Sequence, residues 1–92
     1  MKITAKFHGI LADWVGTPSA GFDLHDKANF VDLMKEIDRR YKTNMPPQLW
    51  DQEKNIFNQK VKPFKDGKAL NAMDSPLLDG DEITFMLLMA GG

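Results

Sequence analysis

Ninety-two residues, 42% of them hydrophobic and 27% charged, fit one small domain with a single modest core and exclude a disordered chain. Twelve basic and thirteen acidic side chains leave a formal net charge of −1, so no overall positive field draws the chain to nucleic acid. The chain has no cysteine, which excludes a disulfide framework, a thiolate nucleophile and a thiolate metal site and suits a reducing cytosol.

The amino end, KITAKFH at 2–8, alternates strictly, with Ile3, Ala5 and Phe7 on one face and Lys2, Thr4 and Lys6 on the other. That pattern is a half-buried strand. Leu11, Trp14 and Val15 then keep helical spacing for about one turn before Gly16 and Pro18 stop it. Ala20, Phe22 and Leu24 alternate as a second strand, placed to pair with the first across a long connection. Asn29 stands at an N-cap position with Asp32 three residues on. From Phe30, apolar residues recur at Leu33, Met34, Ile37 and Tyr41, one stripe of a helix of about three turns. Arg39, Arg40 and Lys42 fall in or just past its last turn, where cations suit the macrodipole.

Residues 44–58 fit either a short helix opened by Pro47, gathering Leu49, Trp50, Ile56 and Phe57 on one side, or an ordered loop. Asp66-Gly67 separates two short extended segments, as a tight hairpin turn would, and Pro63 assigns the first of them to a sheet edge or a bulge. Asp79-Gly80 makes a further turn. The last strand follows, with Ile83, Phe85 and Leu87 on its core face and Met86 and Leu88 turned away. No repeat or linker interrupts the chain, so residues 1–92 read as one α+β domain. If the first and last strands pair in parallel under the helix, the fold is a β-grasp. The amino end lacks a signal-peptide h-region, and the longest apolar run, 85–90, is too short to span a bilayer. The expectation is a cytoplasmic protein with no membrane contact.

Few side chains have the company that catalysis requires. His8 and His25 have no second histidine or spaced carboxylate in the sequence and read as solvent-facing or capping residues, not as metal ligands or bases. Lys60, Lys62, Lys65 and Lys68 form a basic stripe that fits a solvated sheet edge better than a nucleic-acid surface. Asp74, Asp79, Asp81 and Glu82 form an acidic cluster. It fits turn aspartates bonded to nearby amides better than a carboxylate site. A chain of this kind is expected to show no turnover alone and to bind no metal or cofactor.

The carboxyl end is different. With glycine near 7% of residues, two in the last two places arise by chance roughly once in 200 chains, and here they follow a core strand directly instead of a polar linker. Gly91 and Gly92 lack side chains and can thread a slot closed to any other residue. Residues 74–92, DSPLLDGDEITFMLLMAGG, resemble the end of the ubiquitin-like sulfur carriers, above all the small subunit of molybdopterin synthase. The thiamine-pathway carrier is also similar. The shared pattern is Pro76-Leu77, Asp79-Gly80-Asp81-Glu82, Ile83-x-Phe85 and terminal Gly91-Gly92. Phe7 and Trp14-Val15-Gly16-Thr17 are similar at the amino end. Leu87-Leu88 stand where the molybdopterin synthase subunit carries a Pro-Pro pair, and residues 43–57 have no counterpart in it.

The resemblance implies a β-grasp fold with a flexible Gly-Gly tail. It implies that Gly92, with Gly91, is the functional end: an E1-like enzyme adenylates the Gly92 carboxylate with ATP and magnesium, and sulfur converts it to a thiocarboxylate. A larger synthase subunit then accepts the sulfur. Met86, Leu88, Met89 and Ala90 are the expected partner-binding residues. The alternative is a ubiquitin-like modifier joined through Gly92 to lysines. A third reading is a β-grasp binding module with an inert tail.

Overall fold

The computed structural model describes residues 1–41, 50–51, 53, 56–57, 60–70 and 75–87. The alternating amino end forms strand β1 (Lys2–Phe7), with Ile3, Ala5 and Phe7 all buried. Helix α1 (Ile10–Val15) follows and buries Leu11 and Val15, and the Gly16 N–H closes it on the Ala12 carbonyl. Strand β2 (Ser19–Asp23) returns antiparallel to β1, with Phe22 opposite Ile3. Helix α2 (Phe30–Tyr41) has the bounds its apolar stripe dictates. Its first turn is closed reciprocally. The Asn29 N–H donates to Asp32 Oδ2 at 3.0 Å, and the Asp32 N–H donates to Asn29 Oδ1 at 3.1 Å, which is capping-box geometry made by an Asn/Asp pair.

The cations near the end of α2 have tasks beyond the macrodipole. Arg39 pairs with Glu36 at 2.6 Å. Arg40 donates to the Gly21 carbonyl at 2.9 Å and lies over the Phe22 ring at 4.1 Å, tying the helix to β2. Lys42 and residues 43–49, Leu49 included, lie outside the described residues.

Between α2 and the next long strand, the expected short helix or loop gives way to two paired dipeptides, β3 (Trp50–Asp51) and β4 (Ile56–Phe57). The reason is ring packing. Trp50 and Phe57 face each other across the ladder with centroids 5.1 Å apart, and both are buried. An aromatic pair of this kind favours a cross-strand arrangement. Strand β5 (Val61–Lys65) and β6 (Lys68–Ala69) then form the hairpin expected at Asp66-Gly67. Both turn residues have positive φ, 53° and 80°, the requirement of a type I′ turn.

Strand β7 (Glu82–Leu87) closes the sheet in the order β2-β1-β7-β5-β6. It runs parallel to β1, pairing Thr4 with Glu82 through Phe7 with Phe85, and antiparallel to β5, pairing Phe64 with Thr84 through Val61 with Leu87. Pro63 therefore sits in a strand with neighbours on both sides, not in the terminal strand. The Leu70 N–H reaches the Pro63 carbonyl at 2.9 Å. In an antiparallel strand a residue's N and O point to the same flank, so the proline's missing donor faces the side where two-residue β6 has already ended.

Helix α2 packs on the core face of this mixed sheet. Phe30, Leu33, Met34 and Ile37 join Ile3, Ala5, Phe7, Ile83 and Phe85 in one cluster. Two strands joined in parallel at the centre, flanked by hairpins and covered by one long helix, make a β-grasp. Its largest fully buried side chain among the described residues is Phe85, whose ring lies 5.7 Å from that of Phe7, 6.2 Å from Phe30 and 5.1 Å from Phe57. Phe85→Ala should lower the unfolding free energy by about 3–5 kcal/mol, a large share of the roughly 5–15 kcal/mol available to a small domain. Thr84→Ala on the other face should cost far less. Urea denaturation of the two variants checks this, and equal losses would contradict the register.

Candidate functional site

The site suggested by the sequence lies at the carboxyl end of β7, and three elements fix where that end emerges. On one flank β1 accompanies β7 only as far as Phe85, where the His8 N–H bonds the Phe85 carbonyl at 3.0 Å. The chain then turns away through Gly9 into α1. On the other flank β5 continues two residues further, with Lys62 opposite Met86 and Val61 opposite Leu87. Beneath the strand, the rings of Phe7, Phe57 and Phe85 fill the core up to its last turn of pleat. The final two residues of β7 thus leave the sheet held on one side by β5 and anchored immediately behind by a closely packed ring.

Alternation along β7 sets the environment of each candidate residue. Ile83 and Phe85 are fully buried, whereas Met86 is only partly so. Leu87 was expected on the buried face. It packs against the core but remains half-exposed, because it lies past the last rung with β1. Among the proposed partner-binding residues, Met86 is accessible, on the face opposite α2. Leu88, Met89, Ala90, Gly91 and Gly92 lie outside the described residues. The open face around Met86 also carries Lys62, Phe64, Thr84 and Thr4 by strand alternation.

The acidic cluster belongs to the other end of β7 and acts structurally. Asp79 Oδ1 accepts the Lys2 N–H at 2.6 Å, and the Gly80 N–H donates to the Lys2 carbonyl at 2.8 Å. Asp81 Oδ2 accepts the Leu78 N–H at 2.8 Å and pairs with Lys65 at 2.9 Å, while the Asp81 carbonyl receives the Thr4 N–H. Glu82 pairs with Lys6 at 2.9 Å. Gly80, at φ 88°, supplies the left-handed residue the turn requires. The Asp79–Glu82 segment is therefore a clasp that extends the β1–β7 pairing past the strand start. Asp74 lies outside the described residues. Part of the lysine stripe is recruited here too, since Lys65 serves the clasp with Lys68 opposite it on β6, while Lys62 stands at the other end of β7, opposite Met86.

The fold supplies one neighbour that the linear sequence hid. His25 Nε2 lies 3.4 Å from Asp32 Oδ2, the same oxygen that caps α2. The contact places His25 at the helix cap, in the solvent-facing position expected of it. Sequence inspection missed the carboxylate because it stands seven residues away, beyond the turn that precedes the helix.

Asp81→Ala removes one charge-assisted hydrogen bond and one partly buried ion pair. It should cost about 1–3 kcal/mol of stability, read by thermal melting, and leave any chemistry at the chain end intact in the folded fraction. A carboxylate with a catalytic duty would show the reverse.

No family model matches the chain, and no curated protein matches its sequence. Solved structures do match. SAMP1 of Haloferax volcanii, a small archaeal modifier protein, superposes with a TM-score of 0.82 at 16% identity over 100% of both chains. A putative molybdopterin converting factor subunit 1 from Pyrococcus furiosus superposes with a TM-score of 0.74 at 20% identity, over 97% of this chain and 99% of that one. The protein–protein complex of subunits 1 and 2 of the molybdopterin-converting factor from Helicobacter pylori contributes a chain matched at 0.67, with 14% identity and 100% coverage of both. At these identities the likeness is one of fold: the chain shares the ubiquitin-like β-grasp of these proteins along its whole length.

Proposed function

We propose that the chain is a sulfur carrier whose working atom is the carboxylate carbon of Gly92. The observation that supports it most directly is the position of β7. The strand that leads into residues 88–92 is the sheet's central strand, bonded to β1 and β5. It sets the point of departure of the tail at a constant offset from a rigid body.

The chemistry rests on the weakness of a carboxylate as an electrophile. One Gly92 carboxylate oxygen attacks the α-phosphorus of ATP, held with magnesium by an adenylating partner, and pyrophosphate leaves. Hydrosulfide released by a sulfur donor then attacks the acyl carbon. The C–O bond to AMP breaks, AMP departs with that oxygen, and a thiocarboxylate remains. The sulfur-accepting subunit of a synthase, with molybdopterin biosynthesis as the preferred pathway, draws the tail into its own site. The resemblance of residues 74–92 to the molybdopterin synthase small subunit and the fold shared with converting-factor subunits 1 support that assignment. This route needs no cysteine in the carrier and no metal or cofactor bound to it.

The fold shared with SAMP1 supports the second reading, a modifier joined through Gly92 to lysine amines. Both readings use the same acyl adenylate and diverge at the nucleophile that resolves it. Intact protein incubated with its adenylating enzyme, ATP, magnesium and a sulfur source should gain the mass of sulfur in place of oxygen. Deleting Gly91-Gly92 should abolish the gain without lowering the melting temperature. Gly91→Val should block it as well, since a branched side chain restricts the backbone and fills the partner's slot. Thiocarboxylate formed without the glycines would end the proposal, and isopeptide-linked conjugates as the product would establish the modifier.

A further inference from the structure

Among the described residues, two large apolar side chains are more than half exposed, Ile10 at 51% and Leu78 at 67%. They occupy opposite ends of the sheet. Ile10 opens α1 two residues after His8, whose N–H meets the Phe85 carbonyl beside the strand exit. Leu78 precedes the clasp, whose bonds go to Lys2 at the far end of β1. Five steps along β1 at about 3.3 Å each separate the two ends by roughly 17 Å.

We propose that Ile10 is an anchor for the adenylating enzyme that takes the tail, seated in an apolar recess at the rim of that enzyme's slot. The proposal rests on the reading of Gly92 as the activated group. Gly92 stands five positions beyond Leu87, and five residues fully extended reach at most about 17–18 Å. An enzyme that holds Gly92 at its reacting centre must therefore cover the ring of surface around the strand end. Among the described residues, that ring includes Met86 and Leu87 of the strand itself, His8, Gly9 and Ile10 on the β1 side, and Lys60, Val61 and Lys62 on the β5 side. Val61 is buried and Met86 and Leu87 are partly so, which makes Ile10, at 51%, the most exposed large apolar side chain of this ring.

Its presentation is rigid. Leu11 and Val15, at 0% and 1% exposure, pin α1 to the core, and a β-branched side chain has little χ1 freedom to lose on docking. Preorganised apolar side chains at an interface centre are the kind that carry most of its binding energy. Leu78 is no less apolar and more exposed, yet it lies outside this footprint, so it serves as the matched control.

The test is ATP–pyrophosphate exchange by the cognate adenylating enzyme with the full chain titrated as substrate. Ile10→Asp keeps the fold, because an acidic residue suits the first turn of a helix, and its melting curve verifies this. It should raise the KM for the chain about tenfold while kcat stays within about twofold. Ile10→Ala, a better helix former than isoleucine, should raise KM several-fold, which carries the test even if the aspartate variant melts. Leu78→Asp should leave both constants unchanged. A wild-type KM in the Ile10 variants, or an equal rise for Leu78→Asp, overturns the anchor while leaving the tail chemistry standing. Failure of the wild-type chain to support exchange overturns both.

Discussion

The parallel pairing of the first strand with the last is the constraint on which the rest of this protein depends. A parallel pair cannot close through a tight turn, so every other element lies between its two halves in sequence and must fit around them. The clasp shows how much sequence is devoted to that pairing. Asp79, Gly80 and Asp81 bond Lys2 and Thr4 before β7 has begun, and Glu82 adds an ion pair with Lys6. At the other end the His8 N–H closes the last rung on Phe85. Sterically, Phe85 completes what the backbone begins: its ring touches β1, α2 and β4 through Phe7, Phe30 and Phe57. One side chain thereby couples the register of the central strands to the seating of the helix and of the small β3–β4 ladder.

That arrangement also defines the site. Because pairing with β1 stops at Phe85 while pairing with β5 runs on to Leu87, the end of β7 is bonded as a strand on one flank only. Met86 turns to the open face and Leu87 sits half-covered over the aromatic cluster. The polar functions of the acidic residues are used up at the opposite end of the strand. Acidic charge therefore serves closure at the start of the strand, while Lys62 and His8 flank its far end.

Most of this was legible wherever period and position coincide in a short window. The strict alternation of 2–8, the Phe30–Tyr41 stripe behind Asn29, and the Asp66-Gly67 dipeptide each contain their own structure, and each forms as read. The parallel pairing was an inference from composition, since nothing local states which strand lies beside which. The β3–β4 ladder was not legible at all. Two residues per strand carry no period, and Trp50 and Phe57 find each other only because Phe7 and Phe85 provide a surface for them. Pro63 shows the same limit. A proline excludes itself from a ladder on one flank only, and which flank is free depends on where β6 stops. The His25–Asp32 contact likewise needed the turn between them to be known. Along β7, alternation turns Met86 to the open face as read, but burial ends short of Leu87, a limit that depends on how far β1 extends.

A chain that acted through residue 92, as proposed, would make an unusual demand on its own stability. Local opening usually costs least at termini and edge strands, and a fraying last strand would lengthen the tail unpredictably and blur its reach. Here the last strand is central, so releasing Glu82–Leu87 means breaking the rungs with β1 and β5 and emptying the site of the Phe85 ring. Such an opening approaches global unfolding in cost. Residue 92, the proposed working position, stands five residues beyond Leu87, the last position of that central strand. On the proposed reading, a partner that holds residue 92 would have to approach closely, and Met86 on the open face and Ile10 at the start of α1 are side chains the fold would offer it.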